Sequence, residues 1–285
     1  MFPTATKHGP VLVPSDASIP PLAGPEFVLP VLTRSAGLLN VLLQDNAVDL
    51  DLASSVAALD PGLAFGILQL ANAEFSDREP VWQLPAAVVA AGREPLQQFI
   101  DCAPRVELRA RPDPRKRLPR LAHDAVVLGC VAHLLARELG RCHPRKSFLG
   151  GLLLAVPEMA GFVVPQHDGY KPRLLSVMCR SLPSGIVKAA MADPSDDAVE
   201  DDPLVATILL AQAVLREKAD GASGEGGFAA LADAPLWRCW PGVLTGQRVS
   251  LLNCCSAVAD WAGWNLYRTD PWEFMAKVER AQPCE

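Results

Sequence analysis

Apolar residues recur along most of this chain in steps of three and four, and strict alternation is almost absent. The pattern therefore predicts helices nearly throughout. Val31, Ser35, Leu38, Leu39 and Leu42 mark one face of a first helix. Asp49 is placed to cap a second helix, which carries Leu52, Val56 and Leu59. Asp60-Pro61 predicts the start of a third, because a first-turn residue loses nothing by lacking an N–H. That helix holds Leu63, Ile67, Leu70 and Ala71, with Asn72 near its end as a cap or a left-handed turn. A short Ala/Val helix runs from Pro85 to Ala91 and stops at Gly92, and the pattern continues from about Pro95 to Cys102. After a break, Leu121, Ala125, Leu128, Ala132, Leu135 and Leu139 form one stripe of a long helix. Ser147 to Ala155 is apolar on every side, which predicts a central buried helix.

Beyond Pro172 the period returns in Leu174 to Cys179 and in Pro183 to Met191. An acidic loop (Asp193 to Asp202) follows, and Pro203 leads into a helix with Leu204, Ile208, Ala211 and Leu215. Residues 219–227, ADGASGEGG, read as a flexible Gly-rich linker. No strand precedes those glycines, which excludes a phosphate-binding loop. The remaining segment holds five of the six tryptophans: Trp237, Trp240, Trp261, Trp264 and Trp272. One helix is expected over Val249 to Ala262, and another opens at Asp270 with Glu273 in a capping-box position. The fold class expected is all-α. Its parts are a Pro-rich, poorly ordered arm (1–25), a helical domain (26–218), the linker (219–227) and a Trp-containing helical extension (228–285).

Composition adds bounds to this picture. Half of the residues are hydrophobic and 20% are charged, enough apolar material for a large core. A net charge of −6 argues against an extended nucleic-acid surface. The apolar runs Ala125 to Ala136 and Phe148 to Val156 fall short of the roughly 20 residues of a membrane helix, so no membrane association is expected. The first 25 residues lack the basic start and apolar block of a secretory signal. Eight cysteines without a CxxC pair read as small buried apolar residues in a reducing compartment, so the expected location is cytoplasmic. The neighbours Cys254-Cys255 and Cys142-His143 supply too few ligands for a zinc site.

Several stretches together resemble the HDOD domain, a helical output domain related to the HD metal-dependent phosphohydrolases. They are LPVLTRSAGLLNVLLQD (29–45), LDPGLAFGILQLANA (59–73), VWQLPAAVVAAGREPLQQFI (81–100), RLAHDAVVLGCVAHLLARELG (120–140) and KSFLGGLLLAVPEMAGF (146–162). SLPSGIVKAAM and DDPLVATILLAQAVL are similar to the end of that domain, closing near Arg216. The resemblance implies a multi-helix regulatory or signalling module, bacterial in style. In catalytic HD proteins a histidine, a His-Asp dipeptide and a final aspartate hold a metal that activates water. Here the dipeptide positions fall on Leu154 and Ala155, which cannot ligate, while His123 fits the first histidine. The resemblance therefore implies a degenerate site with no catalytic residue, no metal and no cofactor.

Other candidates compete with that reading. His123, His167 and Asp168, with Asp193, have the HD order and would serve a phosphohydrolase with relocated ligands. The competing reading keeps His123 as a hydrogen-bonded core residue and His167-Asp168 in a solvated loop between Pro165 and Pro172. The basic stretch 105–120, including Arg115, Lys116 and Arg117, is first a solvated connector. Docking to an acidic protein comes second, and a nucleic acid or nucleotide messenger third, because no aromatic residue is there to stack on bases. Trp261 and Trp264, three apart on one helix, are candidates for a partner interface, against the alternative that the extension folds back over the core. The partner expected is another signalling protein.

Overall fold

The computed structural model describes residues 27–44, 49–73, 79–107, 117–163, 170–191, 202–219, 228–266 and 268–280. Fourteen α-helices appear among them. The first five are α1 (Thr33–Gln44), α2 (Leu50–Ala58), α3 (Pro61–Asn72), α4 (Leu84–Ala91) and α5 (Arg93–Cys102). Then come α6 (Arg117–Leu139), α7 (Pro144–Leu153), α8 (Val156–Val163), α9 (Tyr170–Ser181), α10 (Ser184–Met191) and α11 (Pro203–Ala219). The extension holds α12 (Ala229–Ala232), a 3₁₀ turn (Pro235–Cys239), α13 (Thr245–Asn265) and α14 (Pro271–Arg280). Val31–Leu32 (β1) pairs in parallel with Arg105–Val106 (β2), so Val31 begins a two-residue strand and not the first helix. The buried face of α1 is accordingly Ser35, Ala36, Leu39 and Leu43, while Leu38 points partly to solvent.

α3 is buried along its whole length, and its polar side chains tie incoming backbone to it. Asp60 accepts from Gly62 N (2.9 Å) and Leu63 N (3.1 Å), which caps the helix, and from Leu32 N (2.6 Å), which anchors β1. Burial pushes its carboxyl up to about 6, against the pull of those three N–H groups and the nearby Arg105. Gln69 exchanges two hydrogen bonds with the Phe27 backbone. Asn72 is not a left-handed terminator. Its amide accepts from Val81 N and donates to the carbonyls of Leu68, Val81 and Ser181, joining α3 to the lead into α4 and the end of α9.

α6 and α7 form a central antiparallel pair. Gly140, at φ 67°, ends α6 in the left-handed region that glycine tolerates, and its N–H returns to Ala136 O. The two helices cross so closely that a Cβ on Gly151 would stand 2.9 Å from Gly129 Cα. Ser147 to Leu153 are buried as expected, whereas Leu154 and Ala155 are only half-buried at the turn into α8. α6 runs unbroken past His133, and it is the described helix long and apolar enough to cross a membrane. Most of it lies inside the protein's own core. Asp202, read from sequence as part of the acidic loop, caps α11 through Leu204 N at 3.0 Å.

The extension folds back onto the main body. Trp237, Trp240, Leu252, Cys255 and Phe274 join the same buried cluster as Leu63, Val131 and Leu152. α13 packs on α6 and α11, and α14 on α2 and α6. Trp237 Nε1 donates to Leu231 O at 2.9 Å, and the Arg248 guanidinium lies 5.3 Å over its ring.

Candidate functional site

Four helix segments meet around a cleft of about 960 Å³: the first turns of α6, the α7–α8 junction, the last turns of α11 and the C-terminal half of α13. Buried and half-buried apolar side chains line its depth, among them Leu121, Leu128, Leu154, Ala155 and Leu215. Its rim is charged, and most of the charges are paired. Arg120 Nε lies 3.4 Å from Asp124 Oδ2, Lys218 Nζ 2.5 Å from Asp260 Oδ2, and Glu158 Oε1 2.7 Å from Arg117 Nη2. Arg216 and Arg268 also line the cleft. No ion pair joins either to a carboxylate among the described residues, although Arg268 stacks 5.0 Å from the Trp264 ring centre.

His123 sits in this cleft with both ring nitrogens facing oxygen. Nδ1 is 3.1 Å from Asp124 Oδ1, and Nε2 is 3.3 Å from the Gly263 carbonyl of α13. Leu154 and Ala155 lie in the same lining. The positions that a His-Asp dipeptide would occupy thus face the same space as His123, but they bring hydrocarbon to it. These residues do not fit a divalent ion, because two of the expected donors are absent and the imidazole already faces two acceptors. No group of three or more His, Cys, Asp or Glu side chains converges among the described residues.

The remaining sequence candidates scatter. His167, Asp168, Asp193, Arg115 and Lys116 fall outside the described residues. Arg117 is exposed at the start of α6, bound to Glu158 and 5.1 Å over the Phe162 ring. Trp261 is half-buried and stacks on Phe274 with ring centres 5.1 Å apart, so it serves the packing of α13 against α14. Trp264, one turn on, is 65% exposed and lines the cleft. Cys142 lies within 3.3 Å of both the Ser147 and Thr207 hydroxyls, and Cys254 and Cys255 are buried. Burial holds the Cys255 thiol well above its ordinary range, so it stays protonated.

Sequence reasoning missed Gln212, Arg216, Lys218, Asp260, Gly263 and Arg268 as members of one site. A signal was present: Asp260, Gly263 and Trp264 follow i, i+3, i+4 on α13, and Gln212, Leu215, Arg216 and Ala219 do the same on α11. Nothing in the chain order, however, says that these two faces oppose the first turns of α6.

Residues 29–167 match the family model of the HDOD domain. The chain carries an HDOD domain. The match ends short of the boundary near 218 drawn from the sequence, although α9 to α11 continue the same packed body. The crystal structure of the MmoQ response regulator from Methylococcus capsulatus str. Bath is similar, with a TM-score of 0.56 and 16% identity over 77% of this chain and 96% of that one. A fragment structure of the same protein gives a TM-score of 0.52 and 18% identity, covering 77% and 94%. At these identities the likeness speaks for the fold. A comparison with curated proteins found no match. The HDOD domain indicates a signalling role.

Proposed function

We infer that this HDOD protein is a non-catalytic regulatory module that transmits a signal by engaging another protein. The observation that carries this reading is the lining of the cleft: Leu154 and Ala155 stand beside His123, whose nitrogens face Asp124 and a backbone carbonyl. A hydrolase at this place needs converging donors to hold an ion and an open position for water. This lining supplies one imidazole, a wall of hydrocarbon and three carboxylates each paired with a cation, and no three donors converge among the described residues. Signalling as the purpose is supported by the HDOD match and by the fold shared with a response regulator. Action through a partner is supported by the indole of Trp264, left 65% exposed, a side-chain type enriched at binding hot spots.

The test is the metal content of the purified chain, measured beside phosphodiesterase turnover with added Mn²⁺ or Mg²⁺. The expected result is no stoichiometric ion and no turnover. An ion near one per chain, with turnover lost in His123→Ala, would overturn the reading and make this an HD-type phosphohydrolase.

A further inference from the structure

The cleft has the size, the lining and the charge of a small-molecule site. Its volume of about 960 Å³ falls at the upper end of the roughly 300–1,000 Å³ typical of pockets that enclose organic ligands. Its depth is apolar, and its mouth carries the exposed indole of Trp264. An exposed tryptophan on a helix whose other large apolar side chains are at least half-buried presents a flat ring at the mouth, with the Arg268 guanidinium 5.0 Å over it.

The charge is specific. Asp124, Glu158 and Asp260 are each matched to a cation, respectively Arg120, Arg117 and Lys218. After these pairs are formed, Arg216 and Arg268 remain as two guanidinium groups with no carboxylate partner among the described residues. A chain with net charge −6 thus places a local positive surplus at the mouth of an apolar cleft. Guanidinium groups in that position favour an anionic head group, and the hydrocarbon below favours an uncharged body.

We propose that this cleft binds a small organic anion, its apolar or aromatic body seated over Leu154 and Ala155 and its acidic group held by Arg216 and Arg268. The proposal goes beyond the regulatory reading and rests on it in one respect, that no metal occupies the space. It also gives the module an input. The cleft is walled on one side by α6 and α11 of the main body and on the other by α13 of the extension. Two side chains cross it with polar contacts, His123 to the Gly263 carbonyl and Lys218 to Asp260 and the Ser256 carbonyl. A ligand seated there touches both walls, so its binding energy bears on how α13 sits against α6.

The experiment titrates the full chain with anilinonaphthalene sulfonate, an aromatic anion, and with neutral phenylnaphthylamine. Fluorescence and calorimetry read the binding. The expected result is one sulfonate per chain, with the neutral analogue weaker by at least about tenfold. The paired replacement Arg216→Glu with Arg268→Glu should weaken the anion by at least about tenfold while leaving the neutral probe nearly unchanged. Trp264→Ala should weaken both probes. All three side chains are exposed, so circular dichroism and the thermal midpoint should stay close to the parent. A second variant, Ala155→Leu, narrows the cleft from within and should reduce binding of both probes. Equal affinity for the two probes, or anion binding indifferent to the arginine pair, overturns the proposal, as does the absence of one-to-one binding. Metal-dependent turnover with probe binding intact would overturn the regulatory reading instead, so the two failures are distinguishable.

Discussion

Asp60 is the point where the cap of α3 and the anchoring of β1 meet, and replacing it by asparagine separates two effects. The amide oxygen of Asn can still accept from Gly62 and Leu63, which lie 2.9 and 3.1 Å from the carboxylate oxygen they share. The amide nitrogen then faces Leu32 N–H across 2.6 Å, donor against donor. Burying such a mismatch costs about 1–3 kcal/mol, while the cap itself is kept, since asparagine caps a helix about as well as aspartate. Asp60→Asn should therefore destabilise the protein by about 1–3 kcal/mol at pH 5.

The size of that loss should depend on pH, with a definite sign. A carboxyl with pKa 3.8 when unfolded and about 6 when folded binds its proton more tightly in the fold. Its contribution is therefore most favourable at low pH and is lost as pH rises through about 6. The full loss is about 3 kcal/mol, of which about 1.4 kcal/mol falls between pH 5 and pH 8. Asparagine does not titrate, so the gap between parent and variant should shrink by about 1.4 kcal/mol over that interval. Urea unfolding at both pH values measures it. A gap that is constant, or that grows with pH, would refute the reasoning and show that the three N–H donors outweigh burial.

Two further predictions follow from the core. Gly151→Ala puts a Cβ 2.9 Å from Gly129 Cα and N and 3.0 Å from Leu128 C, all backbone that cannot swing aside. It should cost at least about 1–3 kcal/mol by thermal unfolding, whereas Gly37→Ala on α1 meets nothing within 4 Å and should be neutral or stabilising. His133 is held down to about 4, chiefly by burial and then by the charges of Arg137 and Arg145. Its contribution is complete above its unfolded value of 6.5 and is lost as pH falls toward 4, by up to about 3 kcal/mol. His133→Gln should flatten the stability profile of the parent between pH 6.5 and pH 4.5, and an unchanged slope would count against a neutral buried imidazole.

The fold was largely legible because helix starts and stops here are written in local chemistry. Asp49, Asp60-Pro61 and Pro203 each open a helix where expected, and Gly92, at φ 75°, closes α4. The misreadings involve partners distant in sequence. Val31 fits a helix face in the local pattern because its strand partner, Arg105, lies beyond five helices. Asn72 fits a local cap in the sequence because its bond to the Ser181 carbonyl spans 109 residues. The cleft was half legible for the same reason. The loss of ligands at Leu154 and Ala155 could be read from motif alignment, but the opposing wall on α13 comes from an extension whose docking no local pattern encodes.

The cleft persists although its depth is lined with small and aliphatic side chains, and the helix contacts around it supply the reason. α6 and α7 are locked at backbone distance by Gly129 and Gly151, and the Ile208 side chain of α11 fills the space over Gly150 of α7, where a Cβ would stand 2.3 Å from its Cδ1. Helices fixed this closely cannot tilt inward to fill space beside them, because interiors packed to crystal density transmit displacement and do not absorb it. At the mouth, the ion pairs between Arg117 and Glu158 and between Lys218 and Asp260 tie α6 to α8 and α11 to α13. Hydrocarbon at Leu154 and Ala155 therefore leaves an apolar space with a rigid wall and a charged rim. Such a space gains by admitting a ligand of matching chemistry more than by closing on itself, and α13 is the wall that such a ligand would meet.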